Sequence, residues 1–226
     1  MLALPVTGLR RRLDDAERDD LRRDGVVVVR GILTDDWIAT MYAATDRVMV
    51  DVEASQERRP VEPFRAWALD APLVGLTRQA LPGASCVTIY VDQIVGHRPG
   101  STELLAANRE APYVPVVGRQ VVRLWVALDA VKACGGALRY RRGSHRGPGH
   151  PPPPGDEWLL AEADVGDVVL HHPRTISGTV DGAPRNHRRV VASAYGADLR
   201  KAPQPADDLL REWESFDPYL NPKPEA

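Results

Sequence analysis

The sequence predicts a mainly β protein, an all-β sandwich or barrel with flanking α-helices. Segments with the helical spacing of apolar residues occur first, in the region of residues 13–82. Short runs rich in β-branched and aromatic residues follow over residues 86–198, and turns that contain glycine or proline separate them. Helices followed by many short strands favour a sandwich or barrel with added helices.

The first helix has clear start and stop signals. Asp14 is a good N-cap, and Glu17 stands three residues later, as a capping box requires. Gly25 supplies a left-handed stop. Because apolar residues are sparse in this segment, we expect the helix to lie on the surface and to pack through Leu13 and Leu21.

A buried strand and a second helix are predicted next. Residues 26–29 form a continuous β-branched run, which is typical of a buried strand. Thr34 is expected to cap a helix that continues to about Val50. The apolar face of this helix contains Trp37, Met41, Ala44 and Val48.

The predicted strands begin after the turn at Pro82-Gly83. They cover residues 86–95, 120–128, 137–141, 168–171 and 189–195, with a loop at residues 97–100. Four consecutive prolines within residues 147–155 predict a stiff exposed loop, either a spacer or a lid over a barrel mouth. Beyond the strands, residues 206–216 have helical spacing and residues 217–222 are expected to be extended.

Length and composition favour one cytoplasmic globular domain. We predict a single domain over residues 1–226, with a helical part at 13–82, a β core at 86–198 and a C-terminal tail at 199–226. A net charge of −2 argues against a nucleic-acid partner. No stretch approaches 18 apolar residues, so no membrane partner is expected, and the N-terminus lacks the apolar core of a signal peptide.

Cysteine and lysine usage carry less information about function. Cys86 and Cys134 lack CxxC spacing, which predicts two reduced thiols; one disulfide is the alternative. Three lysines among 29 basic residues indicate a GC-rich bacterial genome rather than a binding surface.

Several segments, in order, resemble the phytanoyl-CoA dioxygenase family of iron- and 2-oxoglutarate-dependent oxygenases. The resemblance runs from about Leu13 to Asp198 and implies a double-stranded β-helix, which is a cupin-like jelly roll. Fold alone does not settle function. The matching segments are residues 22–31, 92–93 with 98–101, 124–129 with 143–145, and 165–170 with 188–189.

The resemblance implies that the family's iron ligands have been replaced. In the family, a His-x-Asp pair and a distal histidine hold ferrous iron. With residues 111–113 (Ala-Pro-Tyr) as the anchor, the pair becomes Asn108 and Glu110, and the distal histidine becomes Ser177. Amide and hydroxyl oxygens are poor substitutes for imidazole, and Glu110 is one methylene longer than aspartate. No shift of register restores the pair, because the sequence contains no His-x-Asp.

Other residues of the pocket are assigned by the same resemblance. Arg188 stands where the family's arginine pairs with the distal carboxylate of 2-oxoglutarate; a surface arginine beside Arg189 is the alternative. His97 replaces a lysine of many relatives, and is either a tunable acid or base or a loop residue. The predicted substrate-binding residues are Arg188, Tyr113, Tyr90, His97 and Trp125, and the predicted catalytic residues are Glu110, Asn108 and Ser177.

These residues predict an enzyme without a metal or other cofactor. Glu110 is the expected acid or base, unless Arg109 or Arg188 pairs with it and makes it structural. Asn108 and Ser177 would orient a small natural-product intermediate during a cyclisation, isomerisation, dehydration or pericyclic step.

Two other functions stay open from the sequence. One is an iron- and 2-oxoglutarate-dependent oxygenase with substitute ligands such as His97 or His172. At most one of the neighbours His171 and His172 faces inward, and His187 is also available. The other is a non-catalytic protein that binds a small molecule. The substrate, the reaction within non-redox chemistry and the oligomeric state cannot be read from the sequence, a homodimer being one option.

Overall fold

The computed structural model describes residues 8–54, 63–69, 72–97, 116–118, 120–147, 154–155, 157–180 and 188–201. Four helices and ten strands lie within these residues. The helices are α1 (Asp15–Asp24), α2 (Asp35–Ala54), α3 (Phe64–Leu69) and α4 (Leu73–Ala80). The strands are β1 (Val26–Val29), β2 (Thr88–His97), β3 (Val116–Val117), β4 (Val121–Ala127), β5 (Leu138–Arg141), β6 (Trp158–Ala161), β7 (Val168–His171), β8 (Ser177–Thr179), β9 (Arg188–Gly196) and β10 (Arg200–Lys201).

The strands form antiparallel sheets in a jelly-roll arrangement. The larger sheet has the order β1-β7-β4-β9-β2, and a three-stranded sheet has the order β6-β5-β8. A small ribbon pairs β3 with β10. No two neighbours in the larger sheet are consecutive strands in the chain, so none of them is joined as a simple hairpin; in the smaller sheet β5 and β6 are consecutive. The predicted mainly β fold class with flanking helices is confirmed.

One core lies between the larger sheet and the helices. Side chains alternate between the two faces of a strand, so every second residue of β4 and β9 faces the helices. Leu124, Val126 and Val191 lie on this face and are fully or almost fully buried. They pack with Met41 of α2 and Trp67 of α3. The helices therefore cover the outer face of the larger sheet.

A second core fills the space between the two sheets. It contains Trp125, Val169 and Ala192 from the larger sheet and Leu138 and Tyr140 from the smaller one. The first three are Cα partners across β7, β4 and β9, so they share one face of the sheet. We call this space the interior, and the strand faces that line it the interior faces.

The element predictions were mostly confirmed, with differences at the ends. The capping box at Asp14 and the left-handed Gly25 are present, and helix α2 continues past Val50 to Ala54. The predicted loop beginning at His97 was wrong there, since His97 is the last residue of β2. Helices α3 and α4 were not predicted individually, and strands β6 and β8 were not predicted. The tail after Lys201 and the consecutive prolines before Pro154 lie outside the described residues.

Two further findings concern the cysteines and the length of the helices. Cys86 and Cys134 are both exposed, and neither forms a disulfide in the structure. Among the helices that the structure describes, none is long and apolar enough to cross a membrane.

Helix α1 is joined to the smaller sheet by a cluster of charged and imidazole groups. The buried Asp24 accepts hydrogen bonds from Arg23 at 2.8 and 2.9 Å and from Arg142 at 3.1 Å. His145 lies beside it, with its ring centroid 5.6 Å from that of His172. A Cβ atom on Gly25 would lie 2.2 Å from the Nδ1 atom of His145, so this glycine is required for the close approach as well as for its positive φ.

This cluster predicts that stability falls in mild acid. Burial lowers the pKa of His145, and the nearby Arg146 and Arg174 lower it further, although the hydrogen bond to the Arg22 backbone and the charge of Asp24 oppose them. The unfolded chain, with an ordinary histidine pKa of about 6.5, therefore binds more protons than the folded chain below that pH. We expect the free energy of unfolding to decrease as the pH falls from about 7 towards the folded-state pKa.

The variant His145→Gln should lose less stability over this range, measured by urea denaturation at a series of pH values. Above about pH 7 both proteins should give flat profiles, because the imidazole is then neutral in both states. Parallel profiles in mild acid would show that another group is responsible.

Candidate active site between the two sheets

Arg188 projects from β9 into the interior. It lies two and four residues before Val190 and Ala192, which belong to the interior core, so it shares their face of the strand. Arg188 is 4% exposed, and its guanidinium donates a hydrogen bond from Nη1 to the Gly136 carbonyl oxygen. It is therefore an interior residue, and the alternative of a surface arginine was wrong.

The contact with Gly136 makes a test of this placement possible. Gly136 has a φ of 77°, and a Cβ atom there would lie 2.8 Å from Nη1 of Arg188. We expect Gly136→Ala to lower the free energy of unfolding by about 1–3 kcal/mol, because the backbone is strained and the guanidinium must move. Chemical denaturation measures this loss. The control Gly135→Ala should cost less, because a Cβ atom there would have nothing within 4 Å and the φ of Gly135 is not positive; equal losses would contradict this placement.

Ser177 lies on the interior face of β8. Cross-strand partners in an antiparallel sheet place their side chains on the same face. Ser177 is the partner of Tyr140, and Thr179 is the partner of Leu138. Both partners belong to the interior core, and both hydroxyl residues are buried. The structure therefore directs the predicted distal position, Ser177, towards the interior.

His171 is the interior member of the two neighbouring histidines. It is 1% exposed, and its ring centroid lies 4.9 Å from that of Tyr140 on the opposite sheet. His172 packs against His145 instead. The prediction that at most one of the pair faces inward is confirmed. His172 does not lie in the interior, so it does not serve there as the substitute ligand considered above.

A second arginine lies on the interior face of the larger sheet. Arg123 is the Cα partner of His171, so the two side chains leave the same face of neighbouring strands. Its Nη2 atom donates a hydrogen bond of 2.6 Å to Oε1 of Gln93 on β2. Sequence reasoning missed Arg123, Gln93, Tyr140 and Thr179. The alternation of apolar and charged residues over 138–141 (Leu-Arg-Tyr-Arg) was a signal in the sequence that could have identified Tyr140.

The structure describes only some of the other predicted site residues. Trp125 is buried in the interior core. Tyr90 is half-buried at a bulge of β2, where the register with β9 shifts. The backbone of His97 pairs with that of Arg188. Asn108, Glu110 and Tyr113 lie outside the described residues.

The charges of the interior define the chemistry that it supports. Across the described interior faces, Arg123 and Arg188 carry positive charge and no carboxylate faces them. Serine, threonine and tyrosine hydroxyls add hydrogen-bond donors, and His171 adds an imidazole, which can donate or accept a hydrogen bond. Such a site favours an anion or a developing negative charge. Within the described residues, no three His, Cys, Asp or Glu side chains come together as a possible metal site.

Comparison with known proteins relates this fold to one family. The sequence profile of the family described as phytanoyl-CoA dioxygenase (PhyH) matches residues 21–185. No curated protein matches the chain.

Solved structures share the fold at low sequence identity. The α-ketoglutarate-dependent carbocyclase SnoK from nogalamycin biosynthesis is 19% identical, with a TM-score of 0.70 over 88% of this chain and 90% of that one. The epimerase SnoN from the same biosynthesis is 19% identical, with a TM-score of 0.69 over 86% and 85% of the two chains. AviO1 from Streptomyces viridochromogenes Tue57 is 22% identical, with a TM-score of 0.67 over 85% and 100%.

Proposed function

The chain belongs to the phytanoyl-CoA dioxygenase family, and we propose that it is an enzyme that uses this fold without iron or 2-oxoglutarate. The proposed reaction is a non-redox step on a small intermediate of natural-product biosynthesis, namely a cyclisation, isomerisation, dehydration or pericyclic reaction. Such steps need a shaped site with donors and a proton-transfer group, and none of them requires an oxidant.

The observation that carries this proposal is the residue on the interior face of β8. The sequence resemblance assigns the family's distal histidine to Ser177, and the structure directs Ser177 into the interior. A serine hydroxyl is a poor ligand for ferrous iron, because it is neutral and much less basic than a thiolate, carboxylate or imidazole. The residue that the resemblance assigns to a metal-ligand position is therefore unsuited to hold the metal.

The remaining donors also do not fit an iron site of the family type. Such a site needs two imidazoles and one carboxylate that converge. Among the interior residues whose side chains the structure describes there is one imidazole, that of His171, and it lies on the opposite sheet from Ser177. The sequence assigns Asn108 and Glu110 to the other two positions, which gives one carboxylate and no imidazole. We therefore derive no step through a metal.

The solved neighbours support the reaction classes named here. SnoK is described as a carbocyclase and SnoN as an epimerase, so the fold is found in proteins named for ring closure and for inversion of a stereocentre. Both are described as α-ketoglutarate dependent. The proposal differs from these two proteins at the metal site, because the resemblance assigns the family's distal histidine to Ser177.

Each predicted site residue has a role in this proposal. Glu110 is the proposed acid or base, and Asn108 and Ser177 orient the substrate. Arg188 holds an anionic or carbonyl group from the interior face of β9. The proposed contacts with the rest of the substrate are made by Tyr113, Tyr90, His97 and Trp125, in one domain that spans residues 1–226.

The mass of the product tests this function. Protein treated with EDTA is incubated with candidate biosynthetic intermediates, and the products are analysed by mass spectrometry. We expect a product of unchanged mass or one that has lost water, formed at the same rate with and without EDTA treatment. A product with an added oxygen atom, or activity that returns with ferrous iron and 2-oxoglutarate, would overturn the proposal. Binding of an intermediate without any product would indicate a non-catalytic binding protein instead.

A further inference from the structure

His171 is a proton-transfer group that the assignments above do not use. It lies at the end of β7, between the Cα partners Val26 on β1 and Arg123 on β4. Its ring faces the interior, is 1% exposed and contacts the ring of Tyr140. A neutral imidazole has one donor nitrogen and one acceptor nitrogen, so it can take a proton from a substrate and return it.

Tyr140 connects His171 to the predicted site. It is fully buried on β5 and is the Cα partner of Ser177 on β8. The rings of Tyr140 and His171 lie 4.9 Å apart and are inclined at 47°, so the phenol restricts the orientation of the imidazole. Ser177, Tyr140 and His171 thus form a row of polar side chains that crosses the interior from the smaller sheet to the larger one.

Arg123 supplies positive charge on the same face of the larger sheet. As the Cα partner of His171 it is on the neighbouring strand and the same face, at a typical Cβ separation of about 5 Å. Its hydrogen bond with Gln93 fixes the guanidinium at the interior face of β2. The guanidinium thus extends across β9, away from β7, and lies on the same sheet face as the imidazole. A base and a fixed cation on one face suit a reaction that removes a proton from a substrate lying between them and leaves negative charge on its oxygen.

Resting on the proposed function, we propose that His171 is a catalytic base and acid, and that the substrate is a carbonyl compound with a C–H bond next to the carbonyl group. The proton is then transferred by His171 on β7, and not by Glu110 alone. Tyr140 is the positioning residue for the imidazole.

The proposed step balances without a redox partner. An imidazole nitrogen of His171 removes the proton from the carbon next to the carbonyl group, and the C–H electron pair moves toward the carbonyl oxygen to give an enolate. Arg123 stabilises the negative charge on that oxygen. The imidazolium then returns the proton to the other face of the carbon or to another carbon, or it protonates a leaving hydroxyl that departs as water. His171 ends each cycle neutral, as it began.

The probe for this inference is 4-nitrophenol, an enolate mimic whose ionised form is coloured. It is added to the full chain, treated with EDTA, at a pH where the free phenol is mostly protonated. We expect one equivalent to bind and ionise, because its proton passes to His171, and the phenolate absorbance reports it. His171→Gln should lower this absorbance about tenfold or more. The matched control His172→Gln should leave it unchanged, since His172 lies against His145.

The outcomes separate this inference from the proposed function. An uncoloured complex with the wild-type chain, or equal absorbance for wild type and His171→Gln, overturns the role of His171 even if product forms without metal. His171→Phe, which fills the same space, repeats the test if the glutamine variant folds poorly. Ring nitrogen signals of His171 in the NMR spectrum of the wild-type chain should move to imidazolium values when the probe binds. Signals that stay unchanged also overturn the role. The proposed function itself fails only on the product masses and the iron dependence described above.

Discussion

Replacing Arg189 with leucine is expected to lower the free energy of unfolding by about 3–5 kcal/mol, because it leaves the largely buried carboxylate of Asp129 without its cation. The Arg189 side chain is 8% exposed and donates from Nε and Nη2 to the two carboxylate oxygens of Asp129, both at 2.8 Å. Its Nη1 atom donates to Asp46 of α2 at 2.9 Å, and its guanidinium lies 3.7 Å from the ring centroid of Tyr42. These bonds raise the pKa of Arg189, the bond to Asp129 contributing most.

The expected loss of stability is large because Arg189 connects two layers of the fold. It ties the larger sheet to helix α2, so its loss weakens the packing of the helix layer as well as the ion pair. Chemical denaturation measures the loss, and Arg139→Leu is the matched control. Arg139 is exposed and lies 4.9 Å from the ring centroid of Trp158, a contact worth about 0.5–1 kcal/mol. A loss below about 1 kcal/mol for Arg189→Leu would show that the network is not structural.

The largest expected gain of function is iron binding by a chain with the family's ligands restored. In the triple variant Asn108→His, Glu110→Asp, Ser177→His, two imidazoles and a shorter carboxylate return to the assigned positions. We expect its affinity for ferrous iron, with 2-oxoglutarate present, to rise about a hundredfold or more over wild type. Anaerobic titration, followed by the charge-transfer absorbance of the iron complex, measures this gain.

The control for this prediction changes the same positions without adding imidazoles. The variant Asn108→Gln, Glu110→Asp, Ser177→Asn should bind iron no better than wild type. If the family-type triple variant also gains no affinity, the assignment of these three positions is wrong. Restoration by Ser177→His alone would show that another imidazole already serves as a ligand.

The sequence predicted the fold because its signals were local and repeated. The capping box at Asp14, the left-handed Gly25 and the β-branched run of β1 each act over a few residues, and all of them agree with the structure. Short strands carry weaker signals: β8 has three residues, and its glycine gives no hydrophobic pattern. Its pairing with β5 depends on contacts between residues far apart in the chain, which periodicity does not report.

The candidate site could be predicted where alignment and strand alternation agree. Ser177 and Arg188 were assigned by the resemblance to the family, and the structure turns both towards the interior. His171 could not be chosen over His172 from the sequence, because alternation says that one faces inward without saying which. Arg123 looked like an ordinary charged residue in an apolar strand. Its partners, Gln93 and His171, belong to other strands, so these contacts of Arg123 could be seen only in the folded structure.

The central claim is that the wild-type chain works without iron, and one titration tests it most directly. The purified protein, stripped with EDTA, is titrated anaerobically with ferrous iron in the presence of 2-oxoglutarate, and then oxygen is admitted. We predict no stoichiometric iron, no charge-transfer absorbance and no release of succinate, because the family resemblance assigns Ser177 to the place of an imidazole ligand. One iron bound per chain together with succinate release would contradict this claim.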